Sequence, residues 1–179
     1  HDAILRTAKA TQTDLIVMGS HRKNLLEDVF VGTTIERVIR RGTWPVLKVN
    51  TETQQNYEHV LVAVDLSEAS AEAVRSAGAL GFLERAVSVV YAFHAMAKSM
   101  LGRTSTSQDR IQDYVENERI RSVSELQTFM KSLSLAPNIW ASHVREGEAV
   151  PVISNIVDAM RPQLLVVGTH GRSGISTPG

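Results

Sequence analysis

The apolar positions of the chain change period from segment to segment, and the changes mark out alternating helices and strands. Residues 2–11 place Ile4, Leu5 and Ala8 at helical spacing, and the run that follows is continuously apolar from Leu15 to Met18. Four residues ending on Gly19 are too few for a helix, so they read as a strand buried on both faces. Gly32-Thr33-Thr34 opens a helix that either threonine can cap, with Ile35, Val38 and Ile39 inward. Residues 44–49 (WPVLKV) read as a strand entered through proline, and the polar stretch 50–56 (NTETQQN) reads as a linker.

After the linker the alternation starts again. Residues 60–64 form a strand, Ser67 caps a helix running to about Leu83, and 86–93 form a second strand. Residues 98–107 (KSMLGRTSTS) read as a mobile loop before a long amphipathic helix over 109–133. That helix sets Ile111, Tyr114, Val115, Val123, Leu126, Met130 and Leu133 on one side. A third strand is expected over 139–144, a helix over 150–160 and a fourth strand over 164–167. Strands alternating with helices specify an α/β fold with a parallel sheet covered on both faces, of the doubly wound kind.

A sequence repeat runs through this pattern. LIVMGSHRKNL (15–25) returns as LLVVGTHGRSG (164–174) at an offset of 149 residues without a gap. Ile4 falls on Ile153, Ala10 on Ala159, Leu15 on Leu164, Val17 on Val166, Gly19 on Gly168 and His21 on His170. A period of this length is a domain, not a solenoid unit. The chain therefore reads as a frame from a longer tandem protein. Residues 1–49 would be the C-terminal half of one domain, and 57–179 a second domain without its last helix and strand.

Composition narrows the classes. Hydrophobic residues make up 43% and charged residues 21%, the balance of a globular protein. Lys plus Arg (19) equals Asp plus Glu (19), so no net field draws in nucleic acid or an anionic membrane. With no cysteine there are no disulfides, thiolate chemistry or zinc–thiolate sites, and a cytoplasmic location is expected. No apolar run approaches the ~20 residues of a membrane helix. The six histidines show no metal-ligand spacing, so His21 and His170 read as imidazoles that stabilise turns. No nucleophile, base and metal set can be assembled, so no catalytic residue is assigned.

Ligands of an open parallel sheet bind outside the carboxyl ends of the strands, where strand order reverses. Two segments would meet there: AVDLSEAS (63–70), in which a strand ends on Asp65, and GTHGRSG (168–174). Glycines at 168, 171 and 174 allow tight turns and present N–H groups to an anion. A carboxylate at the end of the first strand can accept hydrogen bonds from ribose hydroxyls or an adenine amine. It can equally bond its own turn or cap the Ser67 helix. Ser173 and Ser176 can touch phosphate or cap a helix. Trp44 and Trp140 read as packing residues, and Arg119 with Arg121 as the solvated face of a helix.

These segments resemble the universal stress protein family. AVDLS before a helix, REGEAVPVI (145–153) and LLVVGTHGRSG carry the resemblance in the second copy, and DLIVMGSH, VGTT and WPVLKV carry it in the first. The resemblance implies a five-stranded, mostly parallel, flavodoxin-like sheet of the adenine nucleotide alpha hydrolase type, in tandem copies packed as an internal dimer or forming a homodimer. It also implies binding of ATP or AMP, with or without Mg, by Asp65, Ala92, Gly168, Thr169, His170, Gly171, Arg172 and Gly174. The family's signature is G-x2-G, nine residues, then G-S/T; its distal glycine would fall two residues past Gly179. In the first copy Gly19, Gly32 and Thr33 keep the spacing, but Arg22 stands where the second glycine belongs. An arginine forced to positive φ costs on the order of 1 kcal/mol, and its side chain would fill the phosphate's space. The first site is therefore expected to be degenerate, although Arg22 and Lys23 could also pair with a phosphate directly. Two other functions remain open: a module acting through protein–protein contacts without nucleotide, and a weak adenine-nucleotide hydrolase.

Overall fold

The structure, a computed structural model, describes residues 1–19, 34–50, 57–96, 107–133 and 140–169. The chain divides into two units, His1–Asn56 and Tyr57–Gly179.

In the first unit, helix α1 (Asp2–Ala10) leads to strand β1 (Ile16–Gly19), and helix α2 (Thr34–Arg41) to strand β2 (Val46–Val49). The two strands are parallel, with Ile16 opposite Val46 and Gly19 opposite Val49. Alternation along them sends Ile16, Met18 and Val46 to one side, where they pack with Ala8 of α1, Val38 of α2 and Trp44. Gly42 lets the end of α2 close down, since a Cβ there would lie 2.8 Å from the Val38 carbonyl oxygen. Glu36 is buried in the first turn of α2 and pairs with Arg40 at 2.8 Å.

The second unit begins with strand β3 (His59–Val64), helix α3 (Glu68–Ala79) and strand β4 (Ala86–Phe93). Helix α4 (Gln108–Ser132), strand β5 (Ala141–Glu146), helix α5 (Ala149–Met160) and strand β6 (Leu164–Val167) follow. The sheet is wholly parallel in the order β5-β4-β3-β6. Three strands are laid down in one direction, and the chain then crosses back to place β6 on the far side of β3. Order thus reverses between β3 and β6. Val60, Val62 and Val64 of β3 turn to one face with Val87, Val89 and Phe93 of β4, under Val74 and Ala77 of α3 and Leu126 of α4. Leu61 and Val90 turn to the other face, under Val152 and Val157 of α5. Both faces of this sheet are covered, as its continuous apolar strands require. At the opposite end, Gln163 Oε1 accepts the N–H of His59 at 3.1 Å, and Gln163 N–H returns a bond to the His59 carbonyl at 2.9 Å.

The α/β class and parallel pairing agree with the sequence reading, but the five-stranded sheet does not. The described residues form one sheet of four strands and one of two. The relation between β1 and β2 accounts for the difference: β2 pairs with β1, whereas β6, the repeat of β1, has no equivalent partner among the described residues. Other limits also move. Helix α3 stops at Ala79 instead of continuing to Leu83, because Leu80 caps it and Gly81 takes φ +76. Strand β5 starts at Ala141 and reaches Glu146, two residues beyond the expected end, because it pairs with β4 as far as Phe93. Trp140 precedes that strand and packs against the core, as does Trp44 in the first unit. Ile139, the linker residues 51–56 and the loop residues 98–106 lie outside the described residues.

Candidate functional site

Strand β3 ends at Val64, and the next six residues form a hydrogen-bonded knot. Asp65 Oδ1 accepts the Ser67 N–H at 3.0 Å and the Ser67 hydroxyl at 2.5 Å. Ser67 is the N-cap of α3, its Oγ accepting the Ser70 N–H at 3.2 Å, and the Ser70 hydroxyl donates back to the Ser67 carbonyl at 2.9 Å. This satisfies one of the orphan amides of the helix end. Leu66, between the two, holds φ +62. A leucine in the left-handed region costs roughly 1–2 kcal/mol, so the knot is held against local strain.

The repeated glycine of the second unit sits against this knot. β6 pairs with β3, Ala63 opposite Val167, so Asp65 and Gly168 follow the carboxyl ends of neighbouring strands. A Cβ on Gly168 would lie 2.8 Å from Ser70 N and 2.9 Å from the carbonyl carbon and oxygen of Ala69. All three are backbone atoms that no side-chain rotation can move. Glycine is thus required at 168 by the approach of β6 to the first turn of α3, a role the sequence did not announce.

Ala92 lies on β4 beside Arg145 of β5 and is half-buried against the α5 face. At the same end of the sheet, Gly147 at φ +140 donates its N–H to the Phe93 carbonyl at 3.0 Å. His94 Nε2 approaches Glu148 Oε2 at 3.8 Å. On α3, Glu68 pairs with Arg75, and that hydrogen bond raises the guanidinium pKa above its ordinary value.

Of the expected site residues, the structure brings Asp65 and Gly168 to adjacent strand ends at the point where strand order reverses. Thr169 follows, exposed. His170, Gly171, Arg172, Ser173, Gly174 and Ser176 lie outside the described residues, as do His21, Arg22, Lys23, Gly32 and Thr33 of the first unit. Gly19 closes β1, where a Cβ would meet nothing within 4 Å. The sequence reading also missed Leu66, Ala69 and Ser70. Only the small side chains of Ala69 and Ser70, where the end of β6 comes close, could have signalled this role. Among the described residues, no group of three His, Asp or Glu is placed to hold a metal ion. No helix among them is long and apolar enough to cross a membrane.

Comparison with known proteins addresses the same segments. The universal stress protein family model matches residues 1–50 and again 56–177. The chain belongs to the universal stress protein family. A universal stress protein of Methanocaldococcus jannaschii is 39% identical over 49 residues, covering 27% of this chain and 30% of that relative. Among solved structures, a functionally unknown protein of Pseudomonas aeruginosa matches 98% of this chain at TM-score 0.65 and 20% identity. A universal stress protein of Archaeoglobus fulgidus matches 97% at TM-score 0.61 and 15% identity. The chain spans 59% and 57% of the lengths of those two proteins. Identities this low speak for the universal stress protein fold alone.

Proposed function

We propose that this universal stress protein is a tandem-domain, cytoplasmic stress-response protein whose second domain, 57–179, binds ATP or AMP. The observation that carries the reading is the convergence of Asp65 and Gly168 at the reversal of strand order between β3 and β6. Doubly wound sheets take their ligands in that crevice. The Asp65 carboxylate would accept from the ribose hydroxyls or the adenine amine. Backbone amides from Gly168 through Gly171 and Gly174 would face the phosphates, with Thr169, His170 and Arg172 alongside. Ala92 would line the adenosine side of the crevice, and any Mg would come with the nucleotide. The first domain, carrying Gly19, Arg22, Gly32 and Thr33, would bind nucleotide weakly because of Arg22. The domains would pair as an internal dimer or a homodimer through β2, whose Leu47 and Val49 point away from the Ile16–Val38 core.

A second reading, a module that works through protein contacts alone, is favoured by one observation. The bonds from Ser67 to Asp65 Oδ1 already give the carboxylate a purely structural use. Native mass spectrometry of the purified protein separates the two readings. Copurified adenine nucleotide, or its uptake from millimolar ATP, supports the first; a chain that stays nucleotide-free under both conditions supports the second.

A further inference from the structure

The two sides of the β3–β6 crevice are fastened to the same turn of helix. On one side, the Ser67 hydroxyl takes the Ser70 N–H as acceptor, so its single proton goes to Asp65 Oδ1 at 2.5 Å. The Ser67 N–H adds a second bond to the same oxygen at 3.0 Å. On the other side, the Gly168 backbone sits directly on Ala69 and Ser70. Leu66, between Asp65 and Ser67, holds the left-handed φ of +62.

We propose that Ser67 is a positioning residue for nucleotide recognition, fixing the direction of the Asp65 carboxylate by tying it to the first turn of α3. The proposal rests on the reading of Asp65 as an acceptor for adenosine. An aspartate at a half-exposed strand end has two rotatable side-chain bonds, and ordering them on binding costs affinity. Here the ordering is complete before a ligand arrives, because a charged acceptor holds two donors from one residue. The turn that orders Asp65 is also the turn on which Gly168 rests, so the carboxylate and Gly168 share one reference.

The test uses Ser67→Gly in the intact protein. Glycine keeps the backbone N–H and is an acceptable N-cap, so melting stays close to that of the unsubstituted protein. Affinity for ATP and AMP, read by calorimetry, falls about tenfold, and Ser67→Thr restores it. In an Asp65→Ala background, Ser67→Gly has no further effect, because Ser67 acts through Asp65. Independently of nucleotide, NMR couplings across the Asp65 Cα–Cβ bond report a single rotamer in the unsubstituted protein and averaging in Ser67→Gly. Affinity that ignores Ser67→Gly, losses that add in full to those of Asp65→Ala, or a single rotamer in both proteins would overturn the positioning role alone. Failure of the unsubstituted protein to bind either nucleotide would overturn the nucleotide reading, and the recognition role with it.

Discussion

Gly19 and Gly168 occupy the same place in two repeated segments, each closing an apolar strand of four residues or fewer and standing two residues before a histidine. Their surroundings differ. A Cβ at Gly19 would meet nothing within 4 Å, while one at Gly168 would press on the backbone of Ala69 and Ser70. Val17 of β1 is 59% exposed, whereas Val166, its repeat, packs into the core cluster shared by α3 and α4. The elements that press on Gly168 and cover Val166 are β3, α3 and α4, and β1 has no counterpart of them among the described residues of the first unit. In the second unit the glycine is a condition for closing β6 onto α3; in the first no described atom demands it. A glycine signature therefore has to be weighed for packing before it is credited to a ligand.

The largest effect that sharpens this comparison is at the glycines themselves. Gly168→Ala must push backbone apart and should cost about 2–3 kcal/mol, whereas in the chain of residues 1–179, where no described counterpart of α3 lies against β1, Gly19→Ala should change stability by less than about 0.5 kcal/mol. Urea unfolding of both variants checks the difference, and equal losses would break the comparison. The next effect is at the paired valines. Val166→Ala removes two methyl groups from a packed face and should cost about 1 kcal/mol. Val17→Ala, on the face of β1 that no described helix covers, should fall within about 0.5 kcal/mol of no change in the chain of residues 1–179. The smallest effect concerns α4, the helix packed on β5 and β4. On its solvent side, Arg119 hydrogen-bonds to Glu116 at 2.6 and 2.8 Å, and that bond lowers the Glu116 pKa below the ordinary carboxylate value. A lowered carboxylate pKa gives stability that is present above the ordinary value and lost as pH falls through the folded one. Glu116→Gln should therefore leave the acid side of the urea-midpoint profile slightly flatter. High salt should erase the difference, because the pair is exposed.

The repeat, the alternation of elements and the parallel class were legible because periodicity and glycine-terminated strands are local signals. So was the capping role of Ser67, which a serine before a helical pattern announces. The end of α3 was legible too, though overlooked: Gly81 marked it. The reason for Gly168 was not legible, since it depends on Ala69 and Ser70, about a hundred positions away in the chain. Nor was the strain at Leu66, because nothing about a leucine advertises positive φ. The limits of β5 were set by its partner β4 and not by its own apolar run, so Trp140 was misplaced inside the strand. Asp65 offered two readings in sequence, and the structure realises the turn-bonding one while leaving the residue at the strand end where a ligand would meet it.

The same comparison extends to function through the residue that differs most between the repeats, Arg22 against Gly171. If Arg22 disables the first site, Arg22→Gly should raise the number of nucleotides bound per intact protein; weaker binding instead would make Arg22 a phosphate ligand. The central claim, that the β3–β6 crevice takes adenine nucleotide, is tested most directly by calorimetric titration of the intact protein and its Asp65→Ala variant with Mg-ATP and with AMP. The account predicts saturable heat for the unsubstituted protein and affinity at least about tenfold weaker for Asp65→Ala, the loss of a charged hydrogen-bond acceptor. No heat at millimolar nucleotide, or equal affinity in the two proteins, would contradict it.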